Sequence, residues 1–86
     1  MKIARTVRFK KAWKQLNTRE EKLPQQAIAN LAENIRYTAL RVKKIKGAEN
    51  IRGTRASCSL RITFQIEGNT IILRNIGRHD DTLGRP

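Results

Sequence analysis

Positions 60–67, Leu-Arg-Ile-Thr-Phe-Gln-Ile-Glu, alternate apolar and polar residues without a break. A side-chain repeat of two belongs to an extended strand with one dry and one wet face, because successive Cβ atoms point to opposite sides of a sheet. Leu60, Ile62, Phe64 and Ile66 take the dry side, and Arg61, Thr63, Gln65 and Glu67 the wet side. Gly68-Asn69 follows with the composition of a two-residue hairpin turn. Positions 70–76 are β-branched and apolar, which makes them the return strand. Such a turn sets the register: Ile66 faces Ile71, Phe64 faces Leu73, and Arg61 faces Ile76. Residues 51–56 supply a third antiparallel strand that turns at Ser57-Cys58-Ser59. A sheet of this kind has one apolar face that must be covered.

The first half of the chain supplies the cover. Residues 1–8 alternate weakly, with Ile3 and Val7 among Lys2, Arg5 and Arg8, which suits a short edge strand. From Phe9 the period changes. Phe9, Ala12, Trp13 and Leu16 fall at i, i+3, i+4 and i+7, one apolar helical stripe backed by Lys10, Lys11 and Lys14. Pro24 suits the first turn of a helix better than its interior, so a second helix is expected to start near it. Thr18 and Glu21 have capping-box spacing and mark the alternative start. Ala27, Ile28, Leu31, Ala32 and Ile35 then line one face. The expected fold is α+β in the order βααβββ: one domain over residues 1–86, a small antiparallel sheet with a two-helix hairpin on one face.

Charge decides what the other face is for. Nineteen Lys and Arg oppose seven Asp and Glu, a formal charge of +12. Self-repulsion on that scale opposes compaction, and a polyanion such as nucleic acid is its usual reason. Between positions 41 and 61 stand seven bases (Arg41, Lys43, Lys44, Lys46, Arg52, Arg55 and Arg61) and one acid, Glu49. A run of this kind is often a solvated surface, but strand periodicity puts Arg61 mid-sheet on the face away from the helices. The hairpin register also brings the end of the return strand close to Arg61, and with it His79, the sole histidine. Imidazole is the side chain whose ordinary pKa, about 6.5, allows both proton states near neutrality.

Other chemistry is poorly supplied. His79 with Asp80 and Asp81 lacks a fourth metal ligand, and consecutive residues seldom converge on one ion. Cys58 has no partner for an internal disulfide and no second histidine to activate it. Trp13 and Phe9 belong to the core stripe, and Tyr37 falls at the end of the second helix. No Gly-rich phosphate loop, zinc finger or RNA-recognition aromatic pair is present in the sequence. No apolar run nears the roughly 18 residues that span a bilayer, and the first residues do not read as a signal peptide. The expectation is a cytosolic protein with no cofactor and no metal.

The "IKG" at 45–47, the "RASCSLRITF" at 55–64 and the "IGRHDD" at 76–81, with the "FKKAWKQL…LPQQAIANLAENI" hairpin before them, resemble the RelE/ParE superfamily of bacterial toxins from toxin–antitoxin pairs. The ending is similar to the "G-x-H" of the YafQ and YoeB branches. The resemblance covers nearly the whole chain. It implies a βααβββ fold, endoribonuclease action on mRNA in the ribosomal A site, and an antitoxin partner. Carried over by position, it implies that Arg61 contacts the scissile phosphate and that His79 is catalytic, with Arg55 near a second basic position and Arg52 on the same preceding strand. Arg41, Lys43, Lys44, Lys46 and Arg78 are then contacts to RNA. Many members carry an aromatic a few residues after "G-x-H"; this chain has Leu83 and then Gly84-Arg85-Pro86. Two other readings stay open: a ParE-like gyrase inhibitor with the same fold and no nuclease site, and a non-catalytic RNA- or ribosome-binding protein.

Overall fold

The hairpin read from the sequence is the centre of the sheet. The computed structural model describes residues 2–33, 43–45, 50–78, 82, 84 and 86, with Lys43 and Lys44 as backbone. Strands β4 (Leu60–Glu67) and β5 (Thr70–Arg78) pair antiparallel around Gly68-Asn69. Gly68 takes φ +57°, the glycine-first geometry of a two-residue hairpin turn, where a side chain would strain the backbone. Ile66 faces Ile71 and Phe64 faces Leu73, as the turn length dictates. Beyond them the register slips by one, so Thr63 faces Asn75, Ile62 faces Ile76 and Arg61 faces Gly77. The expected Arg61–Ile76 pairing is therefore corrected. The cause is a β-bulge: β5 carries one residue more than β4 opposite Thr63 and Phe64. Without it, strict alternation from Ile71 and Leu73 would bury Asn75 and expose Ile76. With it, Ile71, Leu73 and Ile76 all reach the core.

Five strands form the sheet, in the order β1-β5-β4-β3-β2. Strand β1 (Lys2–Arg5) runs parallel to β5, so the sheet is mixed, not wholly antiparallel as expected. Alternation reports which residues share a face but says nothing of strand direction, which is why this pairing has no mark in the sequence. Strand β3 (Arg52–Arg55) pairs antiparallel with β4, and β2 (Lys43–Lys44) pairs antiparallel with β3. Two residues are too few for a periodic signal, and β2 is an addition to the expected strands.

Both helices begin earlier than their apolar stripes suggest. Helix α1 (Val7–Lys14) starts at Thr6, whose Oγ1 accepts a hydrogen bond from the Phe9 amide at 3.0 Å. The same hydroxyl donates to the Leu73 carbonyl at 3.0 Å, with the Arg74 carbonyl at 3.2 Å, which ties the cap to the bulged strand. Helix α2 (Thr18–Glu33) contains Pro24 in its interior, and the expected start near Pro24 is corrected. The helix is initiated by a capping box one residue earlier than Thr18 and Glu21. The Glu20 amide donates to Asn17 Oδ1 at 2.9 Å, and Glu20 Oε1 accepts from the Asn17 amide at 3.2 Å. An interior proline costs about 3 kcal/mol. Here its ring is fully buried, and the cap and the packing outweigh that cost.

Phe9 of α1 and Ala27, Ile28 and Leu31 of α2 close on Leu60, Ile62, Phe64, Ile71, Leu73 and Ile76. Trp13 packs against this cluster, its ring centroid 5.9 Å from that of Phe9. Helices α1 and α2 thus cover one face of the sheet, and Arg61 lies on the other, where Thr82 and Pro86 also pack. Among the described residues no helix is long and apolar enough to cross a membrane.

Candidate nucleic-acid interface

On the face opposite α1 and α2, Arg55 of β3 stands directly opposite Arg61 of β4. Like charges at facing positions of an antiparallel pair repel, so the two guanidinium groups concentrate positive charge at this end of the face. Arg61 is half-buried, and its Nη1 donates to the Ser57 carbonyl at 3.0 Å and the Leu60 carbonyl at 2.9 Å. Those carbonyls belong to the turn between β3 and β4, which is closed by the Ala56 amide on the Leu60 carbonyl at 2.9 Å. The Leu60 amide completes it by donating to Ser57 Oγ at 3.1 Å. A guanidinium has five N–H donors. Two hold the side chain to the backbone, and the Nη2 and Nε donors remain to grip an anion. Arg55 is exposed.

The other neighbour of Arg61 is Gly77 of β5. A Cβ at Gly77 would lie 2.7 Å from Thr82 Oγ1, so a residue with no side chain is needed here for Thr82 to close in. Thr82 is 1% exposed. Further along the same face, the Thr63 hydroxyl donates to the Pro86 carbonyl at 3.2 Å, and Arg74 Nε donates to that same oxygen at 3.2 Å. Arg74 Nη1 also bonds Gln65 Oε1. The turn-proximal half of the face is therefore occupied by Pro86, and the Arg55–Arg61–Gly77 end is a separate patch.

Of the residues singled out from sequence, Arg61 and Arg55 are brought together. Arg52 and Arg78 are not with them. Arg52 faces Phe64 and Arg78 faces Leu60, and both partners point toward the helices. Arg78 Nη2 lies 3.0 Å from Glu20 Oε2, and its Nη1 donates to Ser59 Oγ at 2.6 Å. Its side chain is 57% exposed, so the ion pair is worth little to stability and is best read as an orienting contact. Lys43 and Lys44 are placed by their backbone alone, opposite Gly53 and Arg52. His79, Arg41, Lys46, Glu49, Tyr37, Asp80 and Asp81 lie outside the described residues. His79 follows Gly77, the partner of Arg61, by two positions in the chain.

Thr82 joins the site without having been expected there, and Arg74 lies on the same face in the separate half held by Pro86. The sequence does hold a signal for Arg74: a return strand with apolar residues at 71, 73 and 76 must skip a phase between 73 and 76, and the residues in the skip emerge on the outer face. Thr82 has no such signal, since no periodic pattern runs on beyond β5 to place it beside Gly77. Cys58 is a free, exposed thiol. Among the described residues no group of three or more His, Cys, Asp or Glu could hold a metal ion.

No protein-family model matches the sequence, and no curated protein does. Solved structures do match. The RelB–RelE antitoxin–toxin complex of Methanococcus jannaschii aligns at 25% identity and TM-score 0.69, over 91% of this chain and 92% of that one. A copper-bound mutant toxin from Helicobacter pylori aligns at 16% identity and TM-score 0.78, over 94% and 97%. A YoeB/ParE toxin from Agrobacterium tumefaciens aligns at 15% identity and TM-score 0.76, over 92% and 99%. All three neighbours are toxins, the first bound to its antitoxin, and they align over nearly the whole length of this chain. By structural likeness over nearly its whole length, the chain has the RelE/ParE toxin fold.

Proposed function

We propose that this chain is the toxin of a toxin–antitoxin pair and cuts mRNA on the ribosome, by attack of a ribose 2′-hydroxyl on the adjacent phosphate. The observation that carries this reading is the Arg55–Arg61 pair on the face opposite α1 and α2, with Arg61 held by two carbonyls and Gly77 beside it. As the 2′-oxygen bonds to phosphorus, the bond to the 5′-oxygen breaks and charge builds on the non-bridging oxygens. Arg61 and Arg55 would stabilise that charge, and in sites of this kind fixed cations usually contribute more than proton transfer does. Arginine suits the task because its planar fork pairs two oxygens at once and stays charged. His79 would take the proton from the 2′-hydroxyl or give one to the departing 5′-oxygen, a contribution of roughly 10²–10⁴ in rate. No metal or cofactor enters the scheme. Ribosome-held mRNA would arrive already oriented, so a chain of 86 residues need not position it alone.

Arg41, Lys43, Lys44, Lys46, Arg52 and Arg78 would bind phosphates around the site and make binding salt-sensitive. The partner would be an antitoxin with an acidic or amphipathic segment that wraps the helices and covers the basic face. A groove of about 650 Å³ between the helices, floored by Phe9, Trp13 and Ile28 and rimmed by Arg5, Lys10 and Lys14, suits such a segment. The test is cleavage of mRNA on ribosomes by the parent protein and by His79→Ala and Arg61→Ala. Cutting that both variants abolish supports the nuclease. Inhibition of DNA supercoiling with intact translation would support the ParE-like reading instead, and neither effect would favour a non-catalytic RNA-binding protein.

A further inference from the structure

Three elements meet at the end of the sheet where Arg61 sits. The first turn of α2 brings Glu20, the turn between β3 and β4 brings Ser59, and the end of β5 brings Arg78. Arg78 Nη2 donates to Glu20 Oε2 at 3.0 Å, and Arg78 Nη1 donates to Ser59 Oγ at 2.6 Å. The other carboxylate oxygen of Glu20 accepts from the Asn17 amide at 3.2 Å, so the capping box that starts α2 also orients the acid. Ser59 stands in the same turn whose Ser57 carbonyl accepts from Arg61 Nη1 at 3.0 Å. Arg61 faces Gly77 and Arg78 faces Leu60, so the two arginines lie on opposite faces and hold one turn from both sides. An ion pair as exposed as this one shifts an equilibrium by about fivefold at most. That is little beside the roughly 10³–10⁸ by which a small domain favours folding. In the balance between two local arrangements of a strand end, the same factor is decisive.

We infer that Glu20 is a positioning residue for the proposed cleavage: through Arg78 and Ser59 it holds the end of β5 against the turn that carries Arg61. The inference rests on the nuclease reading and adds to it a residue on the helix side of the sheet, away from the RNA and the reacting atoms. Gly77 pairs with Arg61, and Arg78 is the residue before His79 in the chain. A contact on Arg78 therefore fixes the strand end at a point between the two residues assigned to the chemistry. Such chemistry is sensitive to placement, since a shift of about 1 Å can cost about 10²-fold in rate. The Leu60–Arg78 pair is also the last of the β4–β5 ladder, so beyond it the strand end has side-chain contacts in place of ladder bonds. Arg78 has five N–H donors and uses two of them here, so it can hold the clamp and still meet a phosphate with the others. The two roles differ in what they change: a phosphate contact strengthens binding, and the clamp raises the rate of the bound complex.

The experiment measures single-turnover mRNA cleavage over a range of concentrations of programmed ribosomes, for the parent protein, Glu20→Gln, Arg78→Gln and the double variant. Glutamine keeps an Oε1 for the Asn17 amide, so Glu20→Gln preserves the capping box and removes only the charge that Arg78 meets. It is expected to lower the maximal rate about 2- to 5-fold, to leave the half-saturating ribosome concentration unchanged, and to lower the melting temperature by less than about 4 °C. Arg78→Gln is expected to lower the maximal rate further, because the Ser59 contact goes as well. Adding Glu20→Gln to Arg78→Gln should then cost nothing more, since residues that act through one another are not additive. Parent-rate cleavage by Glu20→Gln overturns the clamp and leaves the nuclease reading standing, whereas no cleavage by the parent protein overturns both. A full further loss in the double variant overturns the inference, because Glu20 would then act by another route. A change confined to the half-saturating concentration would make Glu20 a binding residue and overturn it. A rate that merely follows the folded fraction across temperature would make the role structural and overturn it too.

Discussion

Arg61→Lys separates charge from geometry at the proposed site. The guanidinium of Arg61 commits Nη1 to the Ser57 and Leu60 carbonyls, at 3.0 and 2.9 Å, and still has three donors in a planar fork for two phosphate oxygens. A lysine ammonium has three donors on one atom. Held to both carbonyls, it keeps one for the phosphate; released to the phosphate, it abandons the turn. Either way at least one charge-assisted hydrogen bond to the transition state is lost, worth about 1.5–3 kcal/mol. The single-turnover cleavage rate on programmed ribosomes should then fall about 10- to 150-fold. Arg61→Ala, which removes the charge as well, should fall further, by at least about 10²–10³. Folding should barely change in Arg61→Lys, since the turn is also held by Ser57 Oγ and the Ala56 amide. A lysine variant that cuts at the parent rate would refute the argument, because a point charge would then suffice and the carbonyl-held fork would have no catalytic use.

The remaining predictions concern the frame that holds the site. Thr6→Val removes the α1 cap and the hydroxyl's bond to Leu73, leaving the Thr6 amide bond to the same carbonyl, and should lower stability by about 1–2 kcal/mol by urea unfolding, with Thr6→Ser close to the parent. Asn17→Ala removes half of the α2 capping box and should cost about 1 kcal/mol in the same assay. Gly77→Ala puts a Cβ 2.7 Å from Thr82 Oγ1 and should destabilise by about 1–3 kcal/mol; adding Thr82→Ala should recover most of that loss, and additive costs would show that the two residues do not touch.

Much of the frame is legible in the sequence because it rests on short-range rules. The alternation at 60–67 and the Gly68-Asn69 turn dictate a hairpin, and its pairings nearest the turn follow from turn length alone. The apolar stripe of Phe9, Ala12, Trp13 and Leu16 foretells the helical cover on one face. Boundaries and directions are what local patterns miss. Pro24 misleads as a helix starter, because a proline's cost is local while the burial that offsets it is tertiary. The parallel pairing of β1 has no local signal. At the site, Arg55 and Arg61 are legible by parity, but Arg52 and Arg78 group with them only by nearness in sequence, which parity contradicts.

The bulge in β5 is the step that links this frame to its chemistry. One extra residue lets Ile76 enter the core, and the same shift places Gly77, not Ile76, beside Arg61. An isoleucine there would clash with Thr82, whereas glycine lets Thr82 pack against the strand. The shift also turns Arg78 toward the helices, where Glu20 and Ser59 receive it. Thr6 bonds to Leu73 and Arg74, at the point where the register changes, and its hydroxyl both caps α1 and, with the Thr6 amide, ties the helix start to β5. If that coupling holds, Thr6→Val should reduce mRNA cleavage by more than its loss of stability accounts for at temperatures where the variant remains folded. Equal activity of the folded variant would mean that the core contact of Ile76 fixes the register without help from the cap.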